Sequence, residues 1–420
     1  MLMRIYFSGI GGVGIGPLAE IAHDAGYDVI GSDMAKSPIT AQLEQRGIDV
    51  VIGQDGSQIA HAHESAPIEW FVYTSALPDN HPELVYAREQ GIRHSKRDEF
   101  LAEFLSRHNL QLIAIAGTHG KTTTTGQFMY ALRRLGIPLS YSIGTTVSWG
   151  PSGLFDTASK HFVYECDEYD RNFLHFEPAL SIITALDYDH VDTYPTEKDY
   201  RDAFVQFLQQ SSQSLMWEKD LRYLQTDPVA NIEAYDDLMD LSHISLPGDH
   251  IRHNAFLVQR ALQRLFPDID ESRIVDAINS FPGTSRRFEK LADNLYSDYG
   301  HHPTEIAATL QMAKEVSDKV ALVYQPHQNV RQHEILHEYT DEVFKNADVI
   351  YWLPTYLSRE DPNLEVLTPH QLTAQLSKQV HEVEMNDQLK NSIEDLRSQD
   401  YLVLTMGAGS IDSWVRQKLA

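Results

Sequence analysis

Leu112–Thr125, LIAIAGTHGKTTTT, is the stretch that decides how the rest of the chain is read. Leu112 to Ala116 form an unbroken apolar run, the pattern of a strand buried on both faces of a parallel sheet. Gly117-Thr118-His119-Gly120-Lys121-Thr122 follows, and Thr123 to Leu135 can run as a helix. Strand, glycine loop, lysine, hydroxyl and helix is the layout of a phosphate-binding loop. Its glycines let backbone N–H groups approach phosphates, and the helix N-terminus adds partial positive charge. Lys121 can reach terminal phosphates and the Thr122 hydroxyl can ligate Mg²⁺. The usual spacing places a glycine where this chain has Ile115, and Gly117 comes two residues later, so the loop is a shortened form. An ordinary glycine turn between strand and helix is the alternative; it leaves the Gly-Lys-Thr run without a reason.

Composition narrows the class. A chain of 420 residues exceeds one core, so roughly two to four domains are expected. At 42% hydrophobic and 10% aromatic it has globular composition, and no apolar run approaches the roughly 20 residues of a membrane span. The opening MLMRIYFSGIGG goes directly into a strand and glycine turn, unlike a signal peptide. Cys166 is the single cysteine, which excludes an intrachain disulfide and fits a cytoplasmic location. A net charge of −26 argues against nucleic acid or an anionic membrane as partner.

Upstream, Arg4–Ser8 reads as a strand, Gly9 to Gly14 as a glycine turn, Ile15–Ala25 as a helix, and Tyr27–Gly31 as a second strand ending at Asp33. Gly9, Gly11 and Gly14 match the dinucleotide-type G-x-G-x-x-G fingerprint, with an acidic residue about 20 positions on. Nicotinamide dinucleotide is one reading; any diphosphate could use the same helix N-terminus. Further α/β units follow: helix Ile39–Arg46, strands Val50–Ile52 and Trp70–Thr74, and helix Pro82–Gln90. Ser75 comes at the carboxyl edge, where ligands bind in such sheets.

Downstream of the phosphate loop, Ser140–Trp149 contains glycine and threonine and could face the ligand. Strand His161–Tyr164 runs into Glu165-Cys166-Asp167-Glu168-Tyr169-Asp170, and strand Leu180–Ala185 runs into an acidic stretch holding Asp187, Asp189 and His190. A solvated acidic turn would explain either alone. Two such strand ends beside a phosphate loop favour a hard cation held by oxygen ligands. Cys166 reads as a small buried residue. Glu197–Gln209 is a helix, Met216–Leu246 holds one or two short elements, and a helix from about Ile251 to Leu265 carries Asn254 in its first turn. Phe281-Pro282-Gly283-Thr284 is a breaker and a domain boundary. Beyond it, Arg286 and Arg287 form either a phosphate or carboxylate clamp or a solvated pair. Strand Asn294–Ser297 leads into Asp298-Tyr299-Gly300-His301-His302-Pro303, and Pro303 opens a helix. Strand Val320–Tyr324 ends at Gln325-Pro326-His327, with Arg331 beyond, and strand Tyr401–Thr405 enters a third glycine loop. The fold expected is α/β with three domains: a Rossmann-like N-terminal domain over 1–108, a central P-loop ATPase domain over 109–282, and a Rossmann-like C-terminal domain over 283–420.

In this order the motifs FSGIGGVGIGPLAE, AGTHGKTTTT, ECDEYDRNFL, ALDYDHVDTY, SRRF, DYGHHPTEI, QPH and MGAGSI resemble the Mur ligases, the ATP-dependent amino-acid ligases of peptidoglycan synthesis, over nearly the whole chain. The resemblance implies ATP and Mg²⁺, UDP-N-acetylmuramate and L-alanine as substrates, an acyl-phosphate intermediate, and a monomer or weak homodimer. It places the UDP-sugar on Gly11, Gly12, Val13, Gly14, Asp33, Ser75 and Arg286. ATP would lie on Gly117, Thr118, His119, Gly120, Lys121, Thr122 and Thr123, with Asn254 near the adenine and Arg287 on phosphate. Mg²⁺ would take Thr122, Glu165 and His190. Asp298, His301, His302, His327 and Arg331 would face the reaction centre, with Lys121. Where the family continues its His-Asn motif, this chain has His250 and Ile251, and Gln328 stands where an arginine follows the QPH motif. A recycling ligase that joins a preformed peptide to the same sugar is the nearest rival. A nicotinamide oxidoreductase and a non-catalytic ATP switch leave the phosphate loop or the acidic strand ends unexplained.

Overall fold

The computed structural model describes residues 3–74, 77–191, 193–226, 231–358 and 360–420, so Ser75 and Asp192 lie outside the described residues. Three sheets carry the fold. The first holds β1 (Arg4–Ser8), β2 (Asp28–Asp33), β3 (Asp49–Ile52), β4 (Trp70–Tyr73) and β5 (Arg93–Lys96) in the order β3-β2-β1-β4-β5, all parallel. The second holds β6 (Gln111–Ala116), β7 (Ser140–Ser142), β8 (Gly153–Leu154), β9 (His161–Glu165), β10 (Leu180–Ile183), β11 (Ser214–Trp217) and β12 (Ile232–Tyr235). Its order is β12-β11-β10-β6-β9-β7-β8, and only the β7–β8 pair is antiparallel. The third holds β13 (Glu289–Ala292), β14 (Leu295–Asp298), β15 (Val320–Tyr324), β16 (Val349–Trp352), β17 (Val380–Glu382) and β18 (Leu402–Met406) in the order β13-β14-β18-β15-β16-β17. There the β13–β14 pair is antiparallel and the other pairs parallel. No helix of the described residues is long and apolar enough to cross a membrane.

The chain divides into two compact units: Met1–Ile244 with Asn254–Phe281, and Ser245–His253 with Pro282–Ala420. In the first, one core runs through both sheets, from Ile5 and Phe7 through Phe100 and Phe104 to Leu112, Ala114, Phe162 and Tyr164. The two sheets are also tied by polar contacts. Glu20, almost fully buried, accepts the Gly153 N–H at 2.7 Å, and Asp24 accepts the Phe155 N–H at 3.1 Å. Gly153 is there for lack of a side chain, since a Cβ would overlap the backbone of Pro17, which cannot step aside. Gly153→Ala is expected to destabilise the unit by about 1–3 kcal/mol. Urea unfolding reads this, and an unchanged midpoint would show that the contact does not hold the sheets.

In the second unit the third sheet is buried on both faces. Along β15, Val320, Leu322 and Tyr324 join one core, while Ala321 and Val323 join another with Ile393 and Val415. That two-sided burial is why the strand reads as a continuous apolar run.

Candidate functional site

In the first unit β6 lies between β10 and β9, so the phosphate loop has an acidic strand end on either side. Gly117 (φ +131°) and Gly120 (φ +84°) occupy the left-handed region that glycine adopts at little cost. A Cβ on Gly117 would come within 2.5 Å of the Thr184 hydroxyl and 2.8 Å of the Ala185 carbonyl. The helix after the loop is Lys121–Leu135, capped by left-handed Gly120. It starts two residues before the expected Thr123, so Lys121, Thr122 and Thr123 form its first turn. The run of β-branched threonines has low helix propensity, and the glycine cap and burial override it. Thr118 ties the loop to the end of β10: its hydroxyl donates to the Asp187 carbonyl at 2.8 Å and meets the Tyr200 hydroxyl at 2.5 Å. His119 Nε2 lies 3.4 Å from the Asp187 carboxylate.

Two arms leave the loop. Thr122 donates to Glu165 Oε1 at 2.6 Å, and Glu165 Oε2 accepts the Gly144 N–H at 2.9 Å. Gly144 follows β7; of the segment Ser140–Trp149 expected to face the ligand, Ser140–Ser142 is strand and Gly144 meets the site through Glu165. On the other arm, Lys121 Nζ donates to Glu168 Oε2 and to the Gly117 carbonyl, each at 2.6 Å. Burial alone would lower the lysine pKa, but Glu168, with Asp167 and Glu165, outweighs it and holds the ammonium above its ordinary value. His190 Nε2 lies 3.4 Å from Glu168 Oε1. Burial opposes its protonation, and the contact with Glu168 together with Asp189 overcomes this and raises its pKa. His190 also sits at φ +58°, a left-handed conformation that a non-glycine residue holds only when its surroundings impose it.

Glu168 is thus a central residue that the sequence placed only within an acidic run; it is fully buried. Cys166 is fully buried too, and burial pushes its thiol well above the ordinary range, so it packs as a small apolar residue. Asn254 falls in the second turn of its helix, because that helix begins at Asp249 and not near Ile251. Its amide stands 2.5 Å from where a Gly120 Cβ would be, against the phosphate loop.

At the first sheet the glycine turn hangs on β2: the N–H groups of Gly9 and Ile10 both donate to the Ser32 carbonyl at 2.9 Å. Asp33, expected to face a ligand, also braces the turn by accepting the Gly11 N–H at 2.8 Å. Gly12 donates back to Gly9, and Val13 is exposed at the tip.

The second unit gathers the remaining candidates at the carboxyl ends of β14, β15 and β18. Arg286 and Phe288 take left-handed conformations (φ +58° and +48°), and the Arg286 and Arg287 guanidinium carbons lie 4.6 and 5.1 Å from the centre of the Tyr299 ring. Arg286 also donates to the Gly407 carbonyl at 2.9 Å. They are organised by stacking, not a loose surface pair. Asp298 is buried and accepts the N–H groups of Phe288 and Gly300 at 2.7 Å each; burial pushes its carboxyl up to about 6. Arg331 meets His301 Nε2 at 2.8 Å, and the His301 and His327 rings lie 6.0 Å apart. His302 caps the following helix, accepting the Thr304 N–H at 3.4 Å. Gln328 takes φ +61° directly after the Gln325-Pro326-His327 turn.

A phosphate loop between two acid-ended strands of a parallel sheet defines a P-loop nucleotide-binding protein of the α/β class. Three family models cover most of the chain: "Mur ligase family, catalytic domain" over residues 4–109, "Mur ligase middle domain" over 115–227, and "Mur ligase, glutamate ligase domain" over 286–409. The UDP-N-acetylmuramate–L-alanine ligase of Geotalea daltonii is 32% identical, over 97% of this chain and 95% of that protein. The enzyme of the same name from Caldicellulosiruptor saccharolyticus is 30% identical over 98% and 97%. Among solved structures, the UDP-N-acetylmuramate-alanine ligase of Thermotoga maritima matches with a TM-score of 0.77 at 24% identity, covering 99% of this chain and 98% of that one. A murein peptide ligase from Psychrobacter arcticus matches with a TM-score of 0.66 at 23% identity. These two structural likenesses concern the fold. The chain belongs to the Mur ligase family of ATP-dependent ligases.

Proposed function

We propose that this protein joins L-alanine to the lactyl carboxylate of UDP-N-acetylmuramate, driven by ATP, in peptidoglycan precursor synthesis. The observation that carries this is the full-length match, at 30–32% identity, to ligases of that name. The phosphate site supports it with chemistry. A carboxylate is a poor electrophile because oxide would have to leave. Transfer of the ATP γ-phosphoryl group to a carboxylate oxygen releases ADP and gives an acyl phosphate. The alanine nitrogen then attacks the acyl carbon, the C–N bond forms, phosphate leaves with the C–O electrons, and the amine gives up a proton.

Residues divide this work by position and charge. Lys121 and the first turn of its helix would neutralise the transferring phosphoryl group. The donor set of Thr122 hydroxyl, Glu165 carboxylate and His190 imidazole, with Glu168 behind it, suits a hard divalent cation, and these residues would hold Mg²⁺. When bound, Mg²⁺ supplies charge neutralisation on the ATP phosphates. The glycine turn of residues 11–14, with Asp33 and Ser75, would hold the UDP-sugar. His302 or His327 would orient the amine or accept its proton. The ranges 1–108, 109–282 and 283–420 would serve the UDP-sugar, ATP and the amino acid in turn. With a nucleotide sugar and ATP as substrates the reaction would run in the cytoplasm, and the enzyme would act as a monomer or weak homodimer.

The test is phosphate release from ATP. It should require UDP-N-acetylmuramate and L-alanine together. Release supported by an alanyl peptide in place of L-alanine would transfer the reading to peptide recycling, and release without the UDP-sugar would overturn it.

A further inference from the structure

We propose that Arg97 reads the diphosphate of the UDP-sugar at the first glycine turn, an inference that rests on the function proposed above. Arg97 is the first residue of the helix Arg97–Arg107 and follows the edge strand β5 directly. Its guanidinium nonetheless reaches the turn after β1, two strands away in the sheet. Nη1 fills the space that a Cβ on Gly14 would occupy. Gly14 is not in the left-handed region, so no backbone demand calls for glycine there; room for the guanidinium does.

Two other nitrogens are anchored. Nε donates to Asp98 Oδ2 at 3.2 Å, and Nη2 to Asp167 Oδ2 at 3.4 Å. Asp98 is itself buried and fixed by the Tyr164 hydroxyl at 3.0 Å. These contacts set the guanidinium plane and leave the Nη1 edge towards the turn. In the turn, the N–H groups of Gly9, Ile10, Gly11, Gly12, Ile15 and Gly16 all have protein acceptors. Those of Val13 and Gly14 have none among the described residues. Two N–H donors and one guanidinium edge therefore meet at the N-terminus of the helix Gly16–Asp24. Planar donors matched to phosphate oxygens at a helix N-terminus are the chemistry of diphosphate recognition. The plain alternative is an ion pair that only ties the helix Arg97–Arg107 to the acidic stretch after β9.

Calorimetry on the full chain separates these readings, with UDP, UDP-N-acetylmuramate and ATP as probes. Arg97→Ala should weaken UDP and UDP-N-acetylmuramate by the same factor, about tenfold or more, and leave ATP unchanged. Arg97→Lys should recover part of the loss, since it keeps the charge but not the fork. Gly14→Ala, which displaces the guanidinium while keeping Arg97, should reproduce the loss and serves if Arg97→Ala does not fold. Equal UDP affinity in wild type and variants overturns the inference. So does a loss confined to UDP-N-acetylmuramate, which would assign Arg97 to the lactyl carboxylate. A wild-type protein that binds no UDP compound overturns the proposed function itself, a result distinct from either.

Discussion

Lys121→Ala is expected to lower ATP-driven phosphate release by about a thousandfold or more, the scale of losing a charge-stabilising donor in a phosphoryl-transfer site. Lys121 opens the helix after Gly120, at the point where the γ-phosphoryl group would be transferred. UDP-sugar binding, measured by calorimetry, should stay close to wild type. The glycine turn that would hold that substrate belongs to the first sheet, whereas among the described residues the lysine ammonium donates to Gly117, Thr118 and Glu168. Loss of both activities would mean that the two sheets do not divide the substrates between them. The variant also strips a buried carboxylate of its partner, so the comparison belongs well below its melting temperature. A melting curve alongside the assay guards against reading unfolding as lost chemistry.

What the sequence made legible follows from burial. The apolar runs of β6 and β9 are cut off by Gly117 and Glu165, and that abrupt change marks a strand entering a site; after β10 the first acid, Asp187, follows only beyond Thr184, Ala185 and Leu186. Thr122, Glu165 and Gly120 accordingly stand where their motifs suggest. The edge of the first sheet was opaque for the opposite reason. β5 reads Arg-His-Ser-Lys, polar throughout, and gives no periodic signal. The helix Arg97–Arg107 begins without a break after it, so nothing local marks Arg97 as facing a turn more than eighty residues upstream. The helix Ser57–Ser65 carries little sequence signal for the same reason, since it buries only Ile59 and Ala62. Glu168 illustrates a deeper limit. In a run with four carboxylates in six residues, composition says that acids gather but not which one turns inward. That choice is made by Lys121 and His190, from two other elements, and only the tertiary structure brings them together.

Glu168 is where stability and chemistry should fail together. Its carboxylate is fully buried between Lys121 Nζ at 2.6 Å and His190 Nε2 at 3.4 Å, and its own carbonyl accepts the Tyr194 hydroxyl at 2.5 Å. Glu168→Ala leaves a buried ammonium without its nearest counter-charge, and breaking such a pair costs about 3–5 kcal/mol. Equilibrium denaturation should show a loss of that size. The double variant Lys121→Ala/Glu168→Ala should be less damaged than the sum of the singles, because removing both partners leaves neither charge buried alone. Strict additivity would mean that the two side chains do not interact in solution. Glu168→Gln, which keeps the shape and an acceptor oxygen, should lose less stability. It should still lose about ten- to a hundredfold in Mg²⁺-dependent turnover, the usual effect of a residue that orients a metal-binding histidine. Unchanged magnesium dependence in that variant would reduce Glu168 to a structural partner of the lysine and detach His190 from the cation.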